Sequence, residues 1–520
     1  MTTDRPKGAL GRTMLTGSAL RLGYFALAAL FAMLLMPLMV HRLGDRAYGF
    51  WSFAMAFIGY YALIDLGLTS AISQYICIAI GRKDAAACRA VFNAALRIQS
   101  LLGCVALAVT AVLALAAHWI FRNPADASLF AQVIAILGIN AALAFPARVY
   151  AGLLDAQLRF DLRSGLDLLA LVLRNLLAAW VVLSGGGLLA LSWTTLLASL
   201  PTLVLQVTLG RREACWARIG RQTSKGSAAP SLFSYSMYTF GASLADLLRF
   251  QVDALVISAF IGLAVVTHYR IATVLVNYYI NALLAINGLF QPVMSRMHGA
   301  SDRAGLERVL FFATKVSLCA SAFICCAVIG WGRPFIARWM GVNYEDAYLP
   351  TVLLALAVFL DVSQGPSVCL LYATFRHRFY TCINIAEGVV NLVCSLLLVR
   401  SYGIVGVAAG TLMGAILMRV ILQPIVVCRV SGLRYGHYVR FFSGNLLRFG
   451  AFMGLAILLL HPAIRSSYPW LAASALCATC LYAAGSWFLG FNRSERQHFR
   501  DALVARAHRR AEPEAAVVAS

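Results

Sequence analysis

The sequence predicts an all-α integral membrane protein with about fourteen transmembrane helices. Of its 520 residues, 61% are apolar and only 12% are charged, against about 45–50% and about 25% in ordinary soluble domains. Apolar runs of about 20 residues recur along the whole chain, and each is long enough to cross a hydrocarbon core of about 30 Å as a helix. This composition excludes a soluble globular protein.

A repeat at an offset of 217 or 218 residues divides the first twelve predicted spans into two halves. The matches that carry weight are glycine, charged and polar residues that follow corresponding spans. They pair Gly81 with Gly299, Asp84 with Asp302, Arg159 with Arg376, Gly186 with Gly403, and Thr194 with Thr411. Because six spans is an even number, both halves run in the same orientation, as in the parallel-repeat bundles of secondary transporters.

The repeat sets the predicted domain boundaries. Residues 1–210 form an N-terminal six-helix lobe, and residues 231–428 form a C-terminal six-helix lobe. The basic segment 211–230 joins them as a cytoplasmic linker. Residues 429–490 supply two extra transmembrane helices, and residues 491–520 form a basic cytoplasmic tail.

The charge distribution predicts the orientation in the membrane. The chain has 43 Lys and Arg residues against 21 Asp and Glu, a net charge of +22. Placing the N-terminus in the cytoplasm assigns most of the basic residues to cytoplasmic segments, as the positive-inside rule requires, and both termini are then cytoplasmic. Contact with anionic lipid headgroups explains the basic excess, so we predict membrane lipids and no nucleic acid as partners.

Sequence signatures of enzymes are missing from this chain. It contains no phosphate-binding Gly-rich loop followed by Lys-Ser/Thr, no nucleophile elbow and no His-Glu-x-x-His zinc site. The predicted external loops are short, and the linkers have no room for a catalytic domain. We therefore expect a protein that is not an enzyme and that has no cofactor and no bound metal.

Polar and basic residues inside the spans are the candidates for substrate binding, because such residues normally face a bundle interior, a partner or water. Deep arginines suit phosphate, since a guanidinium presents a planar fork to two oxygens at once. The candidates are Arg174, Arg249, Arg270, Arg419, Asn277 and Asn281. Polar residues that recur at helical spacing within a span have two interpretations: they line a water-filled cavity, or they pair with one another across packed helices. Asp246, Arg249 and Asp253 lie on one helical face, and their local charge pairs favour the second interpretation.

Three acids in the spans are the candidates for ion coupling to a proton or sodium gradient. Asp65, Asp361 and Glu387 have no evident cationic partner on their own helices, and carboxylates commonly bind coupling cations in transporters. Asp65 has an equally weighted structural alternative, in which it caps or kinks the end of span two. Arg97, Arg148 and Lys315 lie within a few turns of the predicted cytoplasmic surface, where long side chains can snorkel to headgroups.

With these patterns, the chain resembles the polysaccharide transporter family of the multidrug/oligosaccharidyl-lipid/polysaccharide exporter superfamily. In the first half the resemblance rests on Leu43-Gly44, on Tyr48-Gly49, on the stretch from Tyr61 to Leu68 that contains Asp65-Leu66-Gly67, and on Gly81 to Asp84. In the second half it rests on the stretch from Asp253 to Gly262, on Tyr269-Arg270-Ile271-Ala272 and on Pro292. One departure is Ala254, where many members have a positively charged residue.

The resemblance implies a MATE-like two-lobed bundle in the bacterial inner membrane that alternates between inward-open and outward-open forms. Its substrate would be an undecaprenyl-diphosphate-linked oligosaccharide, the repeat unit of O-antigen or exopolysaccharide. Polymerase and chain-length proteins of the same pathway are the implied partners. The alternatives are a cation-coupled drug or metabolite exporter, a lipid II flippase and, from another class, a membrane glycan polymerase.

Overall fold

The computed structural model describes residues 7–65, 68–81, 84–213, 244, 252–374, 376–460, 467–493 and 495–496. Within these ranges every regular element is helical, which confirms the all-α fold. The first nine helices are α1 (Lys7–Leu43), α2 (Asp45–Gly59), α3 (Tyr61–Ile64), α4 (Leu68–Gly81), α5 (Ala85–Leu115), α6 (Ala117–Ile120), α7 (Pro124–Ala156), α8 (Phe160–Leu183) and α9 (Leu188–Glu213).

The rest of the described chain continues with ten α-helices and three short helical segments of other types. The α-helices are α10 (Val252–Phe260), α11 (Leu263–Asn287), α12 (Gln291–Gly299), α13 (Arg303–Trp339), α14 (Tyr348–Val362), α15 (Gly365–Ala373), α16 (His377–Ala415), α17 (Gln423–Ser431), α18 (Tyr435–Leu460) and α19 (Tyr468–Gly485). A 3₁₀-helix spans Val342–Ala347, and π-helices span Ile416–Leu422 and Ser486–Gly490.

The chain forms two compact units. The first consists of Met1–Arg270 together with Asn384–Val407, and the second of Ile271–Ile383 together with Ala408–Ser520. Each unit combines two separate segments of the chain, so the limits of the units differ from those of the predicted lobes. The division into lobes at residues 211–230 stays a prediction, because most of that linker, residues 214–230, lies outside the described residues.

Ten helical segments of the described chain are long and apolar enough to cross a membrane. One of them, Arg378–Ser431, has 54 residues, which is enough for two crossings. The predicted second span is broken into α2, α3 and α4, and the predicted seventh span falls largely outside the described residues. The protein is therefore a multi-pass membrane protein, and the count of fourteen stays a prediction.

Helix ends repeat between the two halves. Asp84 caps α5 by accepting a hydrogen bond of 2.9 Å from the Ala87 amide, and Asp302 caps α13 in the same way from Gly305 at 2.8 Å. The amide of Arg159 donates to the Leu154 carbonyl at 3.0 Å, and the equivalent amide of Arg376 donates to Leu371 at 2.8 Å. The sequence offset thus corresponds to repeated local structure.

A close approach of α2 to the start of α11 depends on glycine. A Cβ atom on Gly49 would lie 1.7 Å from the Leu263 carbonyl oxygen, so no larger residue fits there. Beside this contact, Phe50 and Phe53 of α2 pack on Phe130 of α7 in a buried aromatic cluster. This packing holds the start of α11 against α2.

Candidate functional site

The first unit buries a polar cluster around Asp253, in the first turn of α10. Asp253 is only 5% exposed, and the Tyr269 hydroxyl donates to its Oδ2 at 2.5 Å. Asn391 of α16 donates to Oδ1 at 3.4 Å, and Ser395 donates to Asn391 Oδ1 at 3.0 Å. A buried carboxylate needs such donors or a cation, and here several oxygen atoms converge on one place.

Glu387 lies one helical turn before Asn391 and is 1% exposed. Asn384, a further turn towards the start of α16, is 5% exposed, so Asn384, Glu387 and Asn391 form a polar stripe that faces the protein interior. Two carboxylates, Asp253 and Glu387, are thus buried in the same unit. Burying an ionised carboxylate is costly unless a proton or a cation compensates its charge.

The first unit holds a second polar cluster, centred on Asp65 where α3 ends. Gln99 of α5, fully buried, donates to Asp65 Oδ1 at 2.8 Å, and Arg148 Nη1 of α7 lies 3.3 Å from the same oxygen. The Arg148 guanidinium also lies 4.6 Å from the centre of the Phe145 ring. We name Asp65, Gln99 and Arg148 the charged node. Asp65 lies at the end of α3, and both of its predicted roles, ion coupling and shaping the helix end, stay predictions.

The second unit buries an ion pair between Asp361 and Arg419. Arg419 is 0% exposed, and its Nε lies 3.0 Å from Asp361 Oδ1. Its Nη1 donates to Gln423 Oε1 at 2.6 Å, and its guanidinium carbon lies 5.3 Å from the centre of the Tyr380 ring. A substrate reaches this arginine only if the surrounding helices rearrange.

The π-helix around Arg419 explains another contact of this residue. The Gln423 amide bonds the Met418 carbonyl in the wide i to i−5 pattern, so it does not bond the Arg419 carbonyl. Pro424, next in line, has no amide hydrogen to offer. The Arg419 carbonyl instead accepts a hydrogen bond from the side chain of Gln364, which lies at the break between α14 and α15. Such π-bulges are frequent at functional sites.

A neutral polar cluster adjoins this ion pair in the second unit, around Asn287 at the end of α11. Ser317 donates to Asn287 Oδ1 at 2.5 Å, and Asn287 Nδ2 donates to the Val362 carbonyl at 3.0 Å. A Cβ on Gly365 would lie 2.0 Å from Asn287 Nδ2, so the glycine leaves room for the amide. We name Asn287, Ser317, Val362 and Gly365 the neutral node.

Four of the predicted substrate-binding residues are exposed. Arg174 lies on α8, whereas Arg270, Asn277 and Asn281 lie on α11. Arg270 is within hydrogen-bonding reach of the Tyr48 hydroxyl, and Asn281 donates to the Asn277 carbonyl at 2.9 Å. Exposed guanidinium and amide groups on membrane-spanning helices can bind phosphate and sugar.

Some predicted positions need correction or lie outside the described residues. Arg148 and Lys315 were expected to snorkel to headgroups, but Arg148 pairs with Asp65. Lys315 is 3% exposed, and its Nζ donates to Glu495 at 2.7 Å. Each of these two side chains thus pairs with a carboxylate of the protein. Asp246 and Arg249 lie outside the described residues, so their predicted roles stay predictions.

Sequence reasoning missed Tyr269, Gln364 and the neutral node. The sequence pattern places Tyr269 only in a family-like stretch and gives no reason to select Gln364 or Asn287. The position of Gln364 before Gly365-Pro366 is a helix-breaking signal that could have drawn attention to it. Nothing in the sequence alone connects Asn287 to Ser317 or to Gly365.

Comparisons with known proteins agree with this architecture. A family model described as "Polysaccharide biosynthesis protein" matches residues 38–317, more than half of the chain. A relative from Bacillus subtilis (strain 168), the uncharacterized membrane protein EpsK, is 21% identical over 486 residues. That alignment covers 91% of this chain and 94% of the relative.

Solved structures share the fold at low sequence identity. The lipid II flippase MurJ, in an inward closed conformation, has a TM-score of 0.67 and 13% identity, covering 89% of this chain and 97% of that one. An inward-facing multidrug resistance MATE family transporter of the MOP superfamily has a TM-score of 0.62 and 16% identity, covering 80% of this chain and 99% of that one. The fold of this protein is therefore MATE-like, as predicted.

Proposed function

This chain belongs to the polysaccharide biosynthesis protein family, and we propose that it is a flippase for an undecaprenyl-diphosphate-linked oligosaccharide. It moves the repeat unit across the bacterial inner membrane by alternating access and makes no bond. The observation that carries the proposal is the family match on a MATE-like, multi-pass helical fold. The likeness in fold to a lipid II flippase supports a lipid-linked substrate.

The exposed cationic and amide groups support binding of the diphosphate and the sugars. In this proposal Arg174 and Arg270 bind phosphate oxygens through their guanidinium forks, and Asn277 and Asn281 donate to sugar hydroxyls. Arg249 stays a candidate on sequence grounds. Arg419 contributes to the substrate only in a conformation that opens its buried surroundings.

Energy for the transport comes, in this proposal, from a proton or sodium gradient acting on the cluster of Asp253 and Glu387. Both acids are buried, and Asn391, Ser395 and the Tyr269 hydroxyl supply further oxygen atoms close to Asp253. A cation or proton would compensate the cost of the buried carboxylates. Asp65 and Asp361 stay candidates from the sequence, and each of them has an arginine nearby.

Deletion of the gene tests the flippase proposal. We expect lipid-linked repeat units to accumulate on the cytoplasmic leaflet, as measured by their accessibility to a membrane-impermeant sugar-modifying enzyme in oriented vesicles. Accumulation of unpolymerised units on the outer leaflet would favour the polymerase instead. Normal levels of repeat units with increased sensitivity to toxic cations would favour a drug exporter.

Ion coupling is tested with the purified protein in proteoliposomes. Glu387→Gln and Asp253→Asn each remove one buried negative charge, and we expect gradient-driven translocation to fall at least about tenfold. Glu345→Gln is the matched control, because Glu345 belongs to the second unit and pairs there with Arg333. Translocation that keeps its full dependence on the imposed sodium or proton gradient in both variants would remove the cluster from the coupling mechanism.

A further inference from the structure

An open cavity of about 710 Å³ lies within the second unit, where α13 begins and where α15 and α17 end. This volume is in the range of about 300–1,000 Å³ that is usual for ligand sites. Arg303, Arg376, Arg429 and His298 line it, against a single acid, Glu307. None of the three guanidinium groups forms an ion pair with another residue in the part of the chain that the structure describes.

Part of the wall of the cavity is apolar. Leu310 and Leu370 are buried beneath it, and Leu306, Val430 and Leu433 complete the apolar lining. Cationic groups over an apolar surface suit an amphiphile whose phosphate faces the arginines and whose chain stays in the apolar phase. A small soluble anion would use only the first of these two features.

At the corresponding position in the first half of the repeat, carboxylates of the protein neutralise the arginine. Arg159, the counterpart of Arg376, has two carboxylate partners, Asp161 at 3.0 Å and Glu213. Burial works against the charged form of Arg159, but these two acids outweigh it and raise the pKa of the guanidinium above its ordinary value. The Arg159 guanidinium is thus already paired with two carboxylates of the protein.

The second half lacks both of these acids. At the same offset, Arg378 replaces Asp161, and Val430 or Ser431 replaces Glu213. Both Val430 and Ser431 line the cavity. The exchange of two acids for neutral or basic residues leaves Arg376 available to an external anion.

We propose that this cavity binds the phosphate group of a membrane lipid. Basic pockets between transmembrane helices on the cytoplasmic side are suited to phospholipid headgroups, and the predicted topology places these three helix ends on that side. Arginine forks match phosphate oxygens in geometry as well as charge. The proposal concerns a binding site at the membrane surface and stands independently of the coupling mechanism.

The test uses the purified full chain in a neutral detergent, with dioleoylphosphatidylglycerol and dioleoylphosphatidylcholine as probes. Native mass spectrometry measures the fraction of protein that carries each lipid as its concentration rises. The cavity variant combines Arg303→Gln, Arg376→Gln and Arg429→Gln. We expect its preference for phosphatidylglycerol to fall at least about tenfold, since charge-assisted hydrogen bonds to phosphate are lost.

A charge-matched control separates the cavity from a general loss of positive charge. It removes three exposed arginines that do not line the cavity: Arg308→Gln, Arg434→Gln and Arg440→Gln. We expect this variant to keep the lipid preference of the wild type. An equal preference in the cavity variant and the control variant would overturn the site.

A second variant copies the neutralised state of the first half into the second. Arg378→Asp together with Ser431→Glu supplies Arg376 with the acids that Arg159 has, and we expect the preference for phosphatidylglycerol to fall as in the cavity variant. All substituted side chains are exposed or half-buried, so the fold should persist, and an unchanged unfolding temperature checks this. Full retention of the preference would contradict the role of Arg376.

Competitors identify the source of the phosphate. Displacement of phosphatidylglycerol by undecaprenyl diphosphate at a lower concentration supports the site and points to the lipid carrier of the substrate. Displacement only at a similar or higher concentration supports it and points to an ordinary phospholipid. Displacement by inorganic diphosphate at the concentration that is effective for the lipids would overturn the lipid part of the proposal.

Discussion

The charged node of the first unit and the neutral node of the second use corresponding positions in different ways. Ser317 follows Gln99 by 218 residues, and Gly365 follows Arg148 by 217. The charged node joins Asp65 to Gln99 and Arg148. The neutral node uses the side chain of Asn287, 222 residues after Asp65, which reaches Ser317 from a different helical turn.

The difference shows that a bundle of this kind does not need a charge pair at this position. Gly365 has no side chain, so Asn287 fills the space and bonds the Val362 carbonyl. Replacing a buried ion pair by neutral, well-packed groups is often energetically neutral or favourable. Burying Asp65 and Arg148 in the first unit therefore has a desolvation cost that the architecture alone does not require.

The largest effect is expected from closing the space in the neutral node. Gly365→Ala places a Cβ 2.0 Å from Asn287 Nδ2, which displaces the amide and weakens its hydrogen bonds. We expect a loss of about 3 kcal/mol in the free energy of unfolding, measured by titration with sodium dodecyl sulfate in mixed micelles. Gly436→Ala is the control, because nothing lies within 4 Å of its new Cβ. Equal stability of the two variants would contradict the packing described for Asn287.

A smaller effect is expected from breaking the charged node. Arg148→Met leaves the Asp65 carboxylate without its cationic partner, and Asp65 is only 13% exposed. We expect a loss of about 2 kcal/mol, below the value for a fully buried pair because the Arg148 side chain is 33% exposed. The same titration should show that Asp65→Asn combined with Arg148→Met recovers part of this loss. Additive losses in the double variant would argue against the pair.

The smallest effect is expected from removing one hydrogen bond of the neutral node. Ser317→Ala deletes the donor to Asn287 Oδ1, and we expect a loss of about 1 kcal/mol in the free energy of unfolding. Ser295→Ala is the matched control, since the exposed Ser295 hydroxyl bonds only a carbonyl of its own helix. If both variants unfold alike, Asn287 is held by its other contacts.

The all-α fold could be predicted because apolar runs of membrane length are a strong signal that depends on composition alone. The repeat could be traced at Asp84 and Asp302, because a helix cap depends on local sequence. The number of uninterrupted spans could not be predicted. The breaks at Asp65 and Gln364 are accompanied by hydrogen bonds to side chains or carbonyls of other helices, which a hydropathy pattern does not contain.

For the candidate site, the sequence could predict single residues but not which residues contact one another. A buried acid such as Glu387 could be identified, because an ionisable residue within an apolar run is rare. Its surroundings could not, since Asp253 and Asn391 come together only through helix packing. The same holds for Asp65 and Asp361, whose arginine partners are on other helices. The substrate-binding and coupling roles of all these residues stay predictions.

The wide turn at Ile416–Leu422 has a consequence for how this protein can evolve. Pro424 leaves the Arg419 carbonyl without a helical donor, and Gln364 supplies one from another helix. Substitution of Gln364 alone removes the side-chain donor to the Arg419 carbonyl. Substitution of Pro424 by a residue with an amide hydrogen would supply a donor from the same helix. We therefore expect these two positions to have changed together during descent, so that lineages with an ordinary helical turn here are free to vary at position 364.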